Sequence, residues 1–132
     1  LPDKYGDYIV RLPTETEWEW ASRLFDGSEE IDWSANQSTA PPLSGKAGVE
    51  NLLGGLWEWC ATWFHPAGYF VKSWDNDRVT ASTAYDTGAE AVVRGGSWAS
   101  NEDDRIDSAT RGSQPPEWCT PFTGFRIVLV RD

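Results

Sequence analysis

Two cysteines, one histidine, 21 acidic and 11 basic residues are the groups through which this 132-residue chain could do chemistry. His65, followed by Pro66, reads as a surface or hydrogen-bonded loop residue, because a metal site needs several converging donors. One histidine also leaves no Ser-His-Asp set to assemble, and the glycine pairs lack the Lys-Ser or Lys-Thr that completes a phosphate-cradling loop. Cys60 and Cys119 can pair, but two cysteines are too few for a disulfide scaffold and their spacing matches no zinc pattern; free or buried thiols are the expectation. The acid runs Glu29-Glu30 and Glu102-Asp103-Asp104 read as solvated faces of an acidic chain.

The arrangement that does stand out is Arg94-Gly95-Gly96-Ser97-Trp98, then Arg111, then Gly124-Phe125-Arg126 near the C-terminus. Glycine pairs permit a backbone turn that a Cβ would obstruct, and tryptophan brings a large apolar anchor. The tail Phe125-Arg126-Ile127-Val128-Leu129-Val130 reads as a buried closing strand. Between these ends, Ala99 to Thr123 has almost no apolar periodicity, so a use other than core packing is expected there.

The elements that must position this frame follow from local pattern. Tyr8-Ile9-Val10-Arg11-Leu12 reads as a short strand. Pro13 to Phe25 reads as a helix whose start carries a capping box, Thr14 with Glu17, and whose first turns hold glutamates suited to the helix dipole. Trp18, Ala21 and Phe25 share one helical face, and Gly27 is the expected stop. Asp26 to Glu50 is rich in Gly, Ser, Pro and Asn, with Ile31, Trp33 and Leu43 as anchors, and is expected to be a long irregular loop. Trp57, Trp59 and Trp63 alternate in a strand, with Leu56, Glu58 and Cys60 on its other side. His65 to Ala91 is again loop-rich, and Val92-Val93-Arg94 begins the next strand.

The length suits a single domain over 1–132, and nine tryptophans concentrate burial in few side chains. A net charge of −10 repels phosphate backbones and anionic lipid, which counts against nucleic-acid binding. No apolar run of about 18 residues is present, so direct membrane insertion is not expected, and the start Leu1-Pro2-Asp3-Lys4 has no signal-peptide features. The chain opens without methionine, so an upstream segment is compatible with the sequence. A soluble domain is expected, at the cell surface or in the cytoplasm according to what precedes it.

Arg11-Leu12-Pro13-Thr14-Glu15 with Glu17-Trp18-Glu19, Leu53-Gly54-Gly55-Leu56-Trp57-Glu58-Trp59-Cys60, the Arg94 to Trp98 motif and Gly124-Phe125-Arg126 occur in fixed order. Together they resemble the formylglycine-generating enzyme, or sulfatase-modifying factor, family over nearly the whole chain. The resemblance implies an α+β, C-type lectin-like fold with short mixed strands, one or two helices and much loop; the family is usually longer on the N-terminal side. Its oxidases use a copper-binding cysteine pair with one member just after the RGGSW-like motif, where this chain reads Ala99-Ser100-Asn101-Glu102-Asp103. Copper(I) prefers soft sulfur, so the catalytic reading loses its ligands; a pair built from Cys60 and Cys119 is the remaining route. The iron-dependent sulfoxide synthases carry a histidine-rich ligand set that one histidine does not supply. Calcium binding near the glycine-tryptophan motif uses an asparagine where this chain has Gly55, so no cofactor is expected, although oxygen-rich loops suit calcium. Trp74-Asp75-Asn76-Asp77 and Gln114-Pro115-Pro116-Glu117 echo the sugar motifs of animal C-type lectins in reversed order.

The branch most similar in frame is that of the variable proteins of diversity-generating retroelements, in which a C-terminal segment is rewritten at adenine-bearing codons. That resemblance implies a non-catalytic binding domain whose surface is formed by residues 99–123. Ser100, Asn101, Asp103, Asp107, Thr110, Ser113, Gln114 and Thr120 would supply adaptable polar contacts, Trp118 and Phe122 rigid contact area, and Ala99 and Gly112 would complete the ligand-binding set. Trp98, Arg111, Phe125 and Arg126 would be scaffold. The breadth and polarity of the segment suit a protein or other macromolecular ligand. The alternatives are an oxidase fragment, an ordinary solvated loop, and a structural or sensory module fused to another domain.

Overall fold

The computed structural model describes residues 6–25, 52–65, 71–75, 78–81 and 90–131. The expected loop from Asp26 to Glu50, with its anchors Ile31, Trp33 and Leu43 and the stop at Gly27, lies outside them.

The chain enters through strand β1 (Tyr8–Arg11) and turns at buried Pro13 into helix α1 (Glu15–Phe25). The cap is the one its sequence spells: the Glu17 amide donates to Thr14 Oγ1 at 3.2 Å and the Thr14 amide to Glu17 Oε2 at 2.8 Å. Trp18 is buried and Ala21 packs beside it, as the helical spacing predicts; the Phe25 side chain is outside the described set.

Strands β2 (Trp57–Trp63), β5 (Ala91–Arg94), β6 (Arg111–Gln114) and β7 (Thr123–Gly124) form one sheet in the order β6-β5-β2-β7, after a hairpin of β3 (Val71–Asp75) and β4 (Arg78–Ala81). β5 is antiparallel to β2 and β6, whereas β7 runs parallel to β2. On β2 the side with Glu58 and Cys60 is buried and the tryptophans are half-buried. Trp18, Leu52, Leu53, Cys60, Val92 and Ile106 make the core, with Trp57 and Phe64 against it. Gly95, at φ +98°, brings its backbone against the Leu52 carbonyl so closely that an added Cβ would overlap it.

One expectation is sharpened and one corrected. Within the stretch from His65 to Ala91 the described residues include the β3–β4 hairpin, with Trp74 opposite Val79 and Ser73 opposite Thr80 in register. Strands of five and four residues carry too little alternation to be read from sequence. The closing strand is the second. Strand β8 (Val128–Arg131) pairs antiparallel with β1 in a separate two-stranded ribbon, and Phe125, Ile127 and Leu129 are exposed. A continuous apolar run suggests two covered faces; along this tail only Arg126, Val128 and Val130 are half-buried.

Candidate functional site

The segment between Trp98 and Phe125 leaves inner strand β5, returns along it as β6 and crosses to β7, so it supplies both edge strands of the four-stranded sheet. What fixes it is a set of guanidinium–carboxylate contacts in which arginines from the sequence frame meet acids on α1 and β2. Arg94, with no exposed side-chain surface, donates from one nitrogen to Glu15 at 2.7 Å and from another to Glu19 at 2.7 Å. Arg111 at the head of β6 also donates to Glu15 Oε1 and, at 3.1 Å, to Oε2, while another of its nitrogens reaches the His65 carbonyl at 2.8 Å. Arg126 donates to both oxygens of Glu58, which also accepts from Trp18 Nε1 at 2.7 Å. Charged groups survive burial only when paired and hydrogen-bonded, and these are.

Glu15 and Glu19 as clamp acids were missed by the sequence reading, which credits the glutamates at the start of α1 to the helix dipole. A signal was present. Glu15, Trp18, Glu19 and Ser22 recur at the spacing of one helical face, so these acids share the side of α1 that carries buried Trp18. Glu58, placed by the strand pattern opposite the tryptophans, is salt-bridged to Arg126.

Within the segment, Ala99, Asn101, Asp103, Asp107 and Trp118 are exposed, and Ser100, Thr110, Gly112, Ser113, Gln114, Thr120 and Phe122 are half-buried. Several shape the backbone that carries them. Asn101 caps the short 3-10 turn Glu102–Asp104, its Oδ1 accepting from the Asp103 amide at 2.9 Å and its amide donating to Asp104 at 2.8 Å. Asp107 Oδ1 accepts from the Ala109 amide and from Thr110 Oγ1. Ser100 Oγ accepts from the Ser97 amide, and Ser113 donates to Glu90 at 2.9 Å. Thr123 donates to Gln114 at 3.0 Å and bonds Thr120, tying β6 to the approach of β7. At Gly112 an added Cβ would lie 2.9 Å from Val93 Cγ2 and 3.2 Å from the Trp57 ring, so this position packs rather than presents a side chain. Glu102, Asp104, Arg105 and Glu117 are exposed too and extend the surface.

The frame residues divide. Trp98 is half-buried, stacks on Phe122 at 5.0 Å between ring centroids and donates from Nε1 to the Pro121 carbonyl. Phe125, assigned a holding role, is exposed. Ile106 does the opposite, entering the core from inside a segment expected to do no core packing. A single buried side chain in 25 positions produces no periodicity, so nothing in the pattern marks it.

Both cysteines are free thiols, Cys60 buried and Cys119 exposed. Burial, the largest cause, pushes the Cys60 thiol above its ordinary range, away from the thiolate a soft metal takes. Ser100 and Asn101 are hydroxyl and amide groups already engaged in hydrogen bonds, a donor set that does not fit copper(I). Among the described residues no three His, Cys, Asp or Glu side chains converge as a metal site, and no helix is long and apolar enough to cross a membrane.

Residues 3–131 match the family model described as the sulfatase-modifying factor enzyme 1-like domain. The formylglycine-generating enzyme of Streptomyces coelicolor is 32% identical over 153 aligned residues, which cover 92% of this chain and 47% of that one. Serine/threonine-protein kinase pkn1 of Chlamydia caviae is 33% identical over 92% of this chain and 21% of its own length. The mouse inactive C-alpha-formylglycine-generating enzyme 2 is 26% identical, over 88% of this chain and 42% of its own. Among solved structures, Treponema denticola variable protein 1 superposes with a TM-score of 0.63 at 24% identity, covering 93% of this chain and 48% of that one. At that identity the likeness concerns the fold, the α+β, C-type lectin-like architecture. The chain spans about half or less of the length of these relatives.

Proposed function

This chain belongs to the sulfatase-modifying factor enzyme 1-like family, and we propose that within it the chain is a non-catalytic binding domain, a variable protein of the diversity-generating-retroelement type. The carrying observation is the division between three clamped points, Arg94, Arg111 and Arg126, and the open stretches between them. Arg94, Arg111 and Arg126 are spent on Glu15, Glu19 and Glu58, while the candidate residues from Ala99 to Phe122 are exposed or half-buried. Fold likeness to a protein named as variable supports the same reading. The ligand is a protein or other macromolecule, because the surface is broad and polar with Trp118 as its largest exposed ring.

The 32% identity to a formylglycine-generating enzyme favours a second reading, an oxidase fragment that binds copper(I) through its thiols. The first experiment is deep sequencing of the gene across its source population, comparing codons 99–123 with codons 11–60. Dense substitutions confined to the first window and biased to adenine positions are expected. A uniformly quiet gene overturns the variable-protein reading, and tight copper(I) binding with turnover on a cysteine peptide would put the oxidase in its place.

A further inference from the structure

Acidic side chains are used differently on the scaffold and on the 99–123 segment. Glu15, Glu17, Glu19, Glu58 and Glu90 each accept a hydrogen bond from another side chain. Glu102, Asp103 and Glu117 are exposed, and among the described residues their carboxylates have no hydrogen-bond or ion-pair partner. Asp104 and Asp107 are exposed as well, each giving one oxygen to its own loop. Against these five carboxylates the segment sets two arginines, and with Arg111 spent on Glu15 only Arg105 is left to oppose them. Uncompensated charge of one sign gathered on a surface attracts the opposite sign and repels its own. Trp118, next in sequence to Glu117, adds a contact of a different kind: its indole is 58% exposed. An indole face and a carboxylate both favour a cation, the first by attraction to the ring and the second by a charge-assisted hydrogen bond. The loops carrying these groups are joined where Trp98 stacks on Phe122 at 5.0 Å and donates to the Pro121 carbonyl at 3.1 Å. Glu102 and Trp118 each stand four residues from a member of that stacked pair, so the reach of the chain keeps both within about 14 Å of it.

We propose that the ligand of the 99–123 surface is a protein that presents a lysine- or arginine-rich face, one of its cationic side chains being taken by the Trp118 ring and the Glu117 carboxylate. This partner chemistry rests on the reading of 99–123 as the binding surface and adds a chemical class to it. Glu102 and Asp103 are well placed for the task, because the turn that carries them is fixed by the Asn101 cap, so little backbone order is lost when a partner docks. Complementary charge speeds the encounter and rejects wrong partners. Nucleic acid, an anionic membrane and a second copy of this chain, itself at net charge −10, are all repelled by the same carboxylates.

The test selects binders to the 132-residue chain from a displayed library of random peptides, a probe without charge bias, at about 50 mM NaCl, where screening is weak. Enriched peptides should carry an average net charge of about +3 or more. Their affinity should fall at least about tenfold in the Glu102→Gln/Asp103→Asn/Glu117→Gln variant and at least about fivefold in Trp118→Ala. It should fall less than about twofold in Asp7→Asn/Glu29→Gln/Glu30→Gln, which removes as many charges outside the segment. The charge of the enriched peptides is read on the wild-type protein alone and stands whatever a variant does to folding. Neutral or acidic peptides that lose affinity on Trp118→Ala overturn the cationic partner and leave the binding surface in place. Basic peptides weakened equally by the two triple variants also overturn it, the attraction then being to net charge instead of to this surface. Peptides that no substitution in the segment weakens, or a selection that enriches nothing, overturn both the cationic partner and the reading of 99–123 as the binding surface.

Discussion

The anchor points of the 99–123 segment and the stretches between them are held by hydrogen bonds of different reach. At the anchors the bonds are long in sequence: Arg94 to Glu15 spans 79 residues, Arg111, midway along the segment, to Glu15 spans 96 and Arg126 to Glu58 spans 68. Between the anchors many close within a turn, Asp103 to Asn101 over two residues and Thr110 to Asp107 over three. Long-range clamps place the segment on the sheet, and local caps shape the loops between them. Exposed side chains between the anchors can then differ without withdrawing a contact from the core, as a changeable binding surface on a fixed scaffold requires, while Ile106, Arg111 and Gly112 stay fixed. Ile106 and Trp98 are the points where the two regions meet.

The comparison is most exposed to failure at Glu15, whose carboxylate serves two arginines and has no exposed surface. Glu15→Ala leaves buried Arg94 with Glu19 and the Ser108 carbonyl and withdraws two bonds from Arg111; it should cost about 3–5 kcal/mol in urea unfolding. A loss under about 1 kcal/mol would mean that the clamp does not carry the frame. Next in size is Trp98→Ala. Its half-buried ring gives up the contact with Phe122 and the bond to the Pro121 carbonyl, for about 2 kcal/mol, less than a fully buried tryptophan because part of the ring already meets water.

How far the sequence disclosed this arrangement depends on whether a residue's partner lies within its own pattern. Thr14 with Glu17 is a local pair, and the cap was legible; so were the tryptophan strand β2 and the start of β5, because alternation and β-branching are local signals. The arginines of the frame were legible as motif, but their acids were not, since pairing Arg94 with Glu15 depends on α1 crossing the sheet. The closing strand shows the limit most clearly: Ile127 and Leu129 have the composition of a core strand and the exposure of a surface one. Apolar character reports that a side chain benefits from cover and leaves open what covers it. At the candidate site the residue types suggested display, whereas Gly112 as packing and Ile106 as core depend on neighbours that no spacing rule supplies.

A smaller effect comes from Glu17, which joins the cap of α1 to β1 through two bonds with Arg11, at 2.8 and 2.7 Å. Burial acts to raise its pKa, but hydrogen bonds from Arg11 and the Thr14 amide outweigh it, so the carboxyl is held below its ordinary value; Arg11, bonded to Glu17, is held above its own. A carboxyl depressed in the folded state contributes stability in full above its unfolded pKa, about 4.3, and loses it as pH falls through the lower folded value. Wild type should therefore exceed Glu17→Gln by about 1 kcal/mol near neutrality, and the gap should close in acid. A gap that persists unchanged to pH about 2 would place the effect in packing instead of charge.

The smallest effect sharpens the comparison most, because it sets one tryptophan against another. Trp118 lies 58% exposed after the turn in which its amide donates to the Pro115 carbonyl at 3.0 Å, a bond that any side chain at that position leaves in place. The ring itself gives the folded state little apolar burial, so Trp118→Ala should change unfolding stability by less than about 0.5 kcal/mol. Trp98→Ala, the same truncation at the start of the same segment, should cost several times as much because its ring is seated between Phe122 and the Pro121 carbonyl. Residue type is constant across the pair, so the ratio reads only whether a position belongs to the scaffold or to the surface it presents. Equal losses in parallel melts would erase that distinction, and a larger loss at Trp118 would move the core of the segment from its clamped end to its middle.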